Sequence, residues 1–283
     1  MSPLPSVARG AGVDTLDVLA RLTDRDRLLC RVLHDHDVLS TEHVRDLAFP
    51  SLSTAQHRLV TLCRLGVLVR FRRHLAAGSE PYRYALGPVG AALVAAEDGV
   101  DPPRPSALRA RTLALAQSRR LGHLLGVNGF FAALAAAARR LPDAGLEAWW
   151  SERRCAAEWG ELVRPDGFGA WREGGRRVAF FFEHDTGTEA LRRVADKLDG
   201  YADVAVAEGR ALPVLFRFPT HRREAAARRV LLHPDVQVVT SSADALDGPA
   251  GAVWLPVAGD GPRRRLADLA AAGGHRDSRE ALR

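Results

Sequence analysis

Residues 178–182 read Val-Ala-Phe-Phe-Phe, and the run ends on Glu183-His184-Asp185. Five consecutive apolar residues bounded by turn residues describe a strand buried on both faces. Such a strand needs cover on each side, so the chain around it must supply further strands and flanking helices. It also places Glu183 where an unpaired carboxylate would be costly to bury.

The neighbourhood supplies both. Beyond Gly145, the segments Leu146 to Trp150, Arg177 to Phe182, Leu212 to Phe218, Val236 to Thr240 and Ala252 to Val257 are short apolar strand candidates. Thr188 to Ala202 and His221 to Leu232 have helical patterns, and Glu173-Gly174-Gly175 is a hairpin turn. A mixed sheet flanked by helices is predicted. Ser106 to Leu141 is Ala- and Leu-rich and predicts one long or two shorter helices, with Gly126-Val127-Asn128-Gly129 as the break.

Residues 22–86 have a different order. Thr23 is a good N-cap, and Asp24 and Asp26 suit a helix start. Leu28, Leu29, Val32 and Leu33 form its apolar stripe. Ser40 and Thr41 open a second helix that Pro50 stops, and Ser53 is read as the cap of a third. Ala55, Leu59, Leu62 and Cys63 share one face of that third helix, and Gly66 ends it. A strand from Val67 to Phe71, a turn at residues 77–79 and a strand from Tyr82 to Leu86 complete the order of a winged helix-turn-helix. The polar face of the third helix carries Thr54, His57, Thr61 and Arg64 with Arg58 at its flank, residues that suit base edges and phosphates. The hairpin adds Arg70, Arg72, Arg73, His74 and Arg83 for backbone contacts. A solvated basic edge, or a module for protein contacts, is the plainer alternative.

The predicted organisation is therefore a loose tail over 1–20, a winged helix over 21–100, a linker at 101–105 (Asp-Pro-Pro-Arg-Pro), an α/β domain over 106–258, and a partly helical or disordered tail over 259–283. The fold class is α+β, with 283 residues giving each domain room for a core. No apolar run approaches the ~20 residues of a membrane span, and the first residues lack a signal-peptide core. Cys30, Cys63 and Cys155 have no metal-ligand spacing; Cys30 and Cys63 fall among apolar residues of predicted helices and read as buried free thiols, and the set suits a reducing cytoplasm. His34, His36 and His43 read as a solvated helix face. A net charge of +6 raises the expectation of a polyanionic partner. The basic residues are nearly all arginine, and Lys197 is the only lysine.

Arg164-Pro165-Asp166-Gly167, followed by Glu183 at the end of a buried strand, resembles the PD-(D/E)xK nuclease pattern. Asp166 and Glu183 on adjacent strands could converge on Mg²⁺ or Mn²⁺, with Asp185 as a third metal-binding acid. In that family a lysine stands two residues after the second acid. Asp185 occupies that position here, and Lys197 could substitute only by reaching back from a helix on which Glu189, Arg193 and Lys197 form one stripe. A wider set of segments resembles the replication-relaxation family of plasmids and mobile elements. These are Trp150-Ser151-Glu152, residues 164–167, residues 181–189, Lys197-Leu198 and Tyr201, within a resemblance running from Leu22 to Thr240. It implies a role in plasmid replication and DNA relaxation.

Simpler uses exist for two of the acids: Asp166 could shape a Pro-Asp-Gly turn, and Asp185 or Thr186 could cap the following helix with Glu189. His184 alternates to the other face of its strand and reads as structural. The first functional expectation is a protein that binds double-stranded DNA in replication, its control or DNA transfer, with a nuclease-like domain that does not cut. The second is a metal-dependent endonuclease or nickase using Glu152, Asp166, Glu183 and Asp185 with help from Lys197. The third is a protein-interaction module of a replication or conjugation complex, which an exposed apolar patch at Phe130-Phe131 would favour. A homodimer is left open.

Overall fold

The structure, a computed structural model, describes residues 15–72, 80–259 and 261–269. It is a mixed α/β chain whose contacts divide it into two compact units, 1–119 and 120–283.

In the first unit α1 (Thr15–Ala20) precedes α2 (Asp24–His36), whose capping box uses Thr23 and Asp26. The short β1 (Leu39–Ser40) leads into α3 (Thr41–Ala48), capped by Ser40. Next comes α4 (Leu52–Arg64). Its cap is Ser51, which accepts from the Thr54 amide at 3.2 Å, so the helix starts before the expected Ser53. β2 (Leu68–Phe71) and β3 (Arg83–Leu86) pair antiparallel, and β1 adds to the free edge of β3. Gly66, at φ 71°, makes the left-handed turn between α4 and β2. Leu29, Leu33, Val44, Leu59 and Leu62 are buried, as their helical spacing requires. The expected turn at 77–79 lies outside the described residues.

Two histidine expectations are corrected. His36 is buried rather than solvated. The ring of His43 accepts the Ser40 amide at 3.3 Å as the third-position partner in the cap of α3. Cys30 and Cys155 are buried and Cys63 half-buried; all three are free thiols, and burial pushes each upward, to about 12, 12 and 11 in turn.

After β3, α5 (Pro88–Glu97) packs on α2. Residues 101–104 are not helical, and α6 (Pro105–Gln117) belongs to the first unit rather than the second. Leu108 is buried there, and Arg111 pairs with Asp37.

The second unit begins with α7 (Leu121–Ala138), which runs unbroken through Gly126–Gly129. The helix break falls instead at residues 118–120. The reason is packing: a Cβ on Gly126 would lie 2.0 Å from Nε2 of His184, so this glycine admits a neighbour and does not end a helix. By length and composition α7 could cross a membrane. Its Phe130, Phe131 and Leu134 are fully buried against the sheet, as in the core helix of a folded unit, and no exposed patch exists at Phe130-Phe131.

A six-stranded sheet follows, in the order β4 (Gly145–Ser151), β5 (Gly167–Glu173), β6 (Arg176–His184), β7 (Val214–Phe218), β8 (Val238–Ser242), β9 (Leu255–Pro256). The β4–β5 and β5–β6 pairs are antiparallel, β6–β7 and β7–β8 are parallel, and β9 closes antiparallel on β8. α8 (Glu152–Trp159) joins β4 to β5. Between β6 and β7 the expected single helix is two, α9 (Leu191–Ala195) and α10 (Leu198–Ala207), with Lys197 at their junction. The stripe Glu189–Arg193–Lys197 therefore does not form. α11 (His221–Ala227) is shorter than expected, and a 3₁₀ turn spans Leu266–Leu269.

β5 was not among the strand candidates. Its Gly167 and Gly169 lower strand propensity, but both lie under aromatic rings: a Cβ at Gly169 would meet Phe180 at 2.5 Å and Phe131 at 2.8 Å. Its partner β6 alternates faces. Phe180 and Phe182 pack with α7, while Phe181 packs with Trp159, Leu198 and Tyr201 on the other side.

Candidate functional sites

On the first unit, α4 turns Ala55, Leu59 and Leu62 inward and leaves Thr54, His57 and Arg64 exposed and Thr61 half-buried. Thr61 donates to the His57 carbonyl at 3.2 Å, and the hydroxyls of Thr54 and Ser51 lie 2.8 Å apart. Arg58 is used otherwise. Its Nε donates at 2.9 Å to Asp26, which is fully buried, and its second nitrogen reaches the other carboxylate oxygen. Asp26 also accepts from the amide and hydroxyl of Thr23, each at 2.8 Å. One buried carboxylate thus caps α2 and ties α4 to it.

On the hairpin, Arg70 of β2 and Arg72 just beyond its end both approach Tyr82, with their guanidinium carbons 4.3 and 4.7 Å from the centre of its ring. Both are exposed. Cation–π contact holds two flexible side chains near each other. Arg83 donates to the Pro81 carbonyl at 3.1 Å. Arg73 and His74 lie outside the described residues. Tyr82 was missed by sequence reasoning. Its place one residue beyond the Phe71–Arg83 pair, across from Arg72, was the available signal.

On the second unit, Gly167 of β5 pairs with Phe182 of β6, which brings Asp166 and Glu183 to neighbouring strand positions. Both are buried. Glu183 accepts from Lys197 Nζ and from the Tyr201 hydroxyl, each at 2.5 Å. Asp166 accepts the His184 amide at 2.8 Å, and its other oxygen lies 3.1 Å from His123 Nε2. Asp166, Glu183 and Lys197 therefore lie in one cluster. His123 and Tyr201 join them: Tyr201 was noted only in the resemblance, and His123 carried no spacing signal.

Two expected members are elsewhere. Asp185 accepts Nε of Arg223 at 2.7 Å and its Nη2 at 3.2 Å, so both its oxygens serve an ion pair with α11. Glu152 is paired with Arg120 at 2.6 Å.

Burial, with Asp166 beside it, raises the Glu183 carboxyl to about 8. Burial also disfavours the charged Lys197, yet Glu183 and Asp166 outweigh it and hold the ammonium above the usual lysine range. Asp166 stays low despite its burial, held by His123, Lys197 and the His184 amide. Two acids and one ammonium share this buried cluster, in which both Glu183 oxygens and one Asp166 oxygen accept hydrogen bonds.

A divalent ion such as Mg²⁺ wants about six oxygen ligands. Here both oxygens of Glu183 and one of Asp166 are hydrogen-bonded, and the remaining oxygen faces His123. Among the described residues no three His, Cys, Asp or Glu side chains converge on a metal position. The donor set in this arrangement does not fit the ion.

No curated protein matches the chain. A family model described as replication-relaxation matches residues 30–231, more than two thirds of the sequence. The match runs from α2 to the segment after α11 and takes in both candidate surfaces. The chain belongs to the replication-relaxation family.

Proposed function

We propose that this protein binds double-stranded DNA in the replication of a plasmid or mobile element, in its control, or in DNA transfer. On this reading the first unit is a winged helix that docks the duplex. The second is a restriction-endonuclease-like domain that holds DNA or a replication or conjugation partner without cutting. The observation that carries the reading is the pairing of an exposed Thr54–His57–Arg64 face on α4 with Arg70 and Arg72 gathered over Tyr82 on the adjoining hairpin. A helix face of this kind suits a major groove, and arginines on a hairpin suit the neighbouring backbone. Arg58 serves this surface indirectly, by fixing α4 on α2. Family membership supports the biological setting.

The test is fluorescence anisotropy with labelled duplex DNA over a range of salt. Arg64→Glu with Arg72→Glu is expected to weaken binding and flatten its salt dependence by roughly one unit of slope per phosphate contact removed. Unchanged affinity and slope would place the DNA surface elsewhere.

The meeting of Asp166, Glu183 and Lys197 favours a second reading, a metal-dependent endonuclease or nickase. The capture of Glu183 by Lys197 and Tyr201, and of Asp185 by Arg223, opposes it. Incubation of supercoiled DNA with Mn²⁺ separates the two readings. Nicking that Glu183→Ala and Lys197→Ala both abolish would establish the enzyme.

A further inference from the structure

At the carboxyl ends of the three parallel strands, His184 of β6 pairs with Arg217 of β7, and Arg217 with Ser241 of β8. Residues paired in this way project from the same face of the sheet. The row directly below them is Phe182, Leu215 and Val239, all fully buried in the core beside α7. Moving up one step thus exchanges an apolar row for an imidazole, a guanidinium and a hydroxyl. This row lies on the face opposite Glu183, whose own neighbours are Phe216 and Thr240.

Arg217 is unusual among the arginines. It is half-buried, yet makes no side-chain hydrogen bond or ion pair among the described residues. Burial alone acts on it, lowering its affinity for a proton, with no carboxylate to oppose that. His184 beside it has a buried Nδ1 with no hydrogen-bond partner among the described residues. Elsewhere in this unit the half-buried arginines have acceptors: Arg223 has Asp185, Arg263 has Glu224, and Arg228 has the Leu255 and Pro256 carbonyls. A partly desolvated guanidinium without an anion is costly, and an anion of matching geometry removes the cost. Open α/β sheets take ligands outside the carboxyl ends of their parallel strands.

We propose that Arg217, flanked by His184 and Ser241, binds a phosphate oxyanion. Arginine's planar fork is suited to two phosphate oxygens at once. His184 and Ser241 supply further donors at the same level. The phosphate belongs either to a nucleic-acid backbone or to a small phosphorylated ligand. The site stands independently of the DNA surface on the first unit.

The experiment uses the full chain in a phosphate-free buffer. Thermal unfolding is followed as inorganic phosphate replaces chloride at constant ionic strength, and duplex binding is measured in parallel by anisotropy. Phosphate is expected to raise the Tm of the parent, because a ligand that binds only the folded state stabilises it. Arg217→Met is expected to lose that rise, and Arg217→Lys to keep a smaller one. Loss of the fork should weaken phosphate by roughly tenfold or more. Without phosphate, Arg217→Met should melt no lower than the parent, since an unpaired buried charge is gone. If the Met variant also binds duplex more weakly with a shallower salt slope, the phosphate is a backbone one; if duplex binding is unchanged, the ligand is small. A Tm rise equal in parent and Met variant, or no response of either to phosphate or duplex, would overturn the proposal. So would a marked fall in Tm on Arg217→Met in phosphate-free buffer, which would make the side chain structural.

Discussion

Arg58 and Lys197 show how one side chain's meaning is set by what it meets. Arg58 sits at the edge of a basic helix face, but its fork closes on Asp26, which has no exposed surface. Removing one partner of such a pair leaves the other charge buried and uncompensated, at a cost of about 3 kcal/mol. Arg58→Ala is therefore expected to lower stability by about that amount in chemical denaturation, whereas Arg64→Ala on the exposed face should change it little. Equal effects of the two would mean that the Asp26 pair contributes nothing. Lys197 and Tyr201 hold Glu183, whose carboxyl is raised to about 8 from an ordinary value near 4.5. The folded protein then binds a proton there that the unfolded chain has released, so this contribution is full below pH 4.5 and is lost as pH rises through 8. The Tm of the parent relative to Glu183→Gln should accordingly fall between pH 5 and pH 8. A constant difference across that window would refute the shift.

At the scale of elements, α7 and β5 were misread for one physical reason. Their glycines are there for close packing, which has the same local signature as a break. Gly126 gives His184 its place, and Gly169 admits the rings of Phe131 and Phe180. In an exposed helix, Gly→Ala gains up to about 1 kcal/mol. Gly126→Ala is expected instead to destabilise, by about 1–3 kcal/mol, because the new methyl overlaps the His184 ring. The double variant with His184→Ala should recover much of that loss in thermal unfolding. If Gly126→Ala alone stabilises the protein, then α7 and β6 do not approach so closely. The single helix expected over 188–202 divides in two, and Lys197 reaches Glu183 from the junction.

For the whole molecule, the two-unit organisation was legible in the change from helical periodicity to short apolar runs after Gly145. The division point was not. The Pro-rich stretch at 101–104 interrupts helices, but α6 beyond it returns to the first unit, where Leu108 and Leu115 join Leu33, Ala91 and Ala95 around a cavity of about 310 Å³. A fragment of residues 1–119 is expected to unfold cooperatively. One ending at Glu97 lacks Leu108 and the Arg111–Asp37 pair, and should be less stable by about 2 kcal/mol, the value of one buried leucine. Equal stability of the two fragments would show that α6 adds nothing to the first unit.

Taken alone, the sequence determined what repeats and what is locally bonded. The apolar spacing set α2 and α4, Thr23 and Ser40 set helix starts, and Val178–Phe182 set the central strand. The Asp166–Glu183 pair was readable because the hairpin of β5 and β6 is local, so strand register follows from its turn. Tertiary structure alone decided which charges are neutralised. Arg58 finds Asp26 32 residues away, Arg223 finds Asp185 38 away, and Arg217 finds no carboxylate among the described residues. Such pairings depend on the distance between side chains after the chain has folded. Periodicity records which face a residue occupies and carries no trace of its partner across the core.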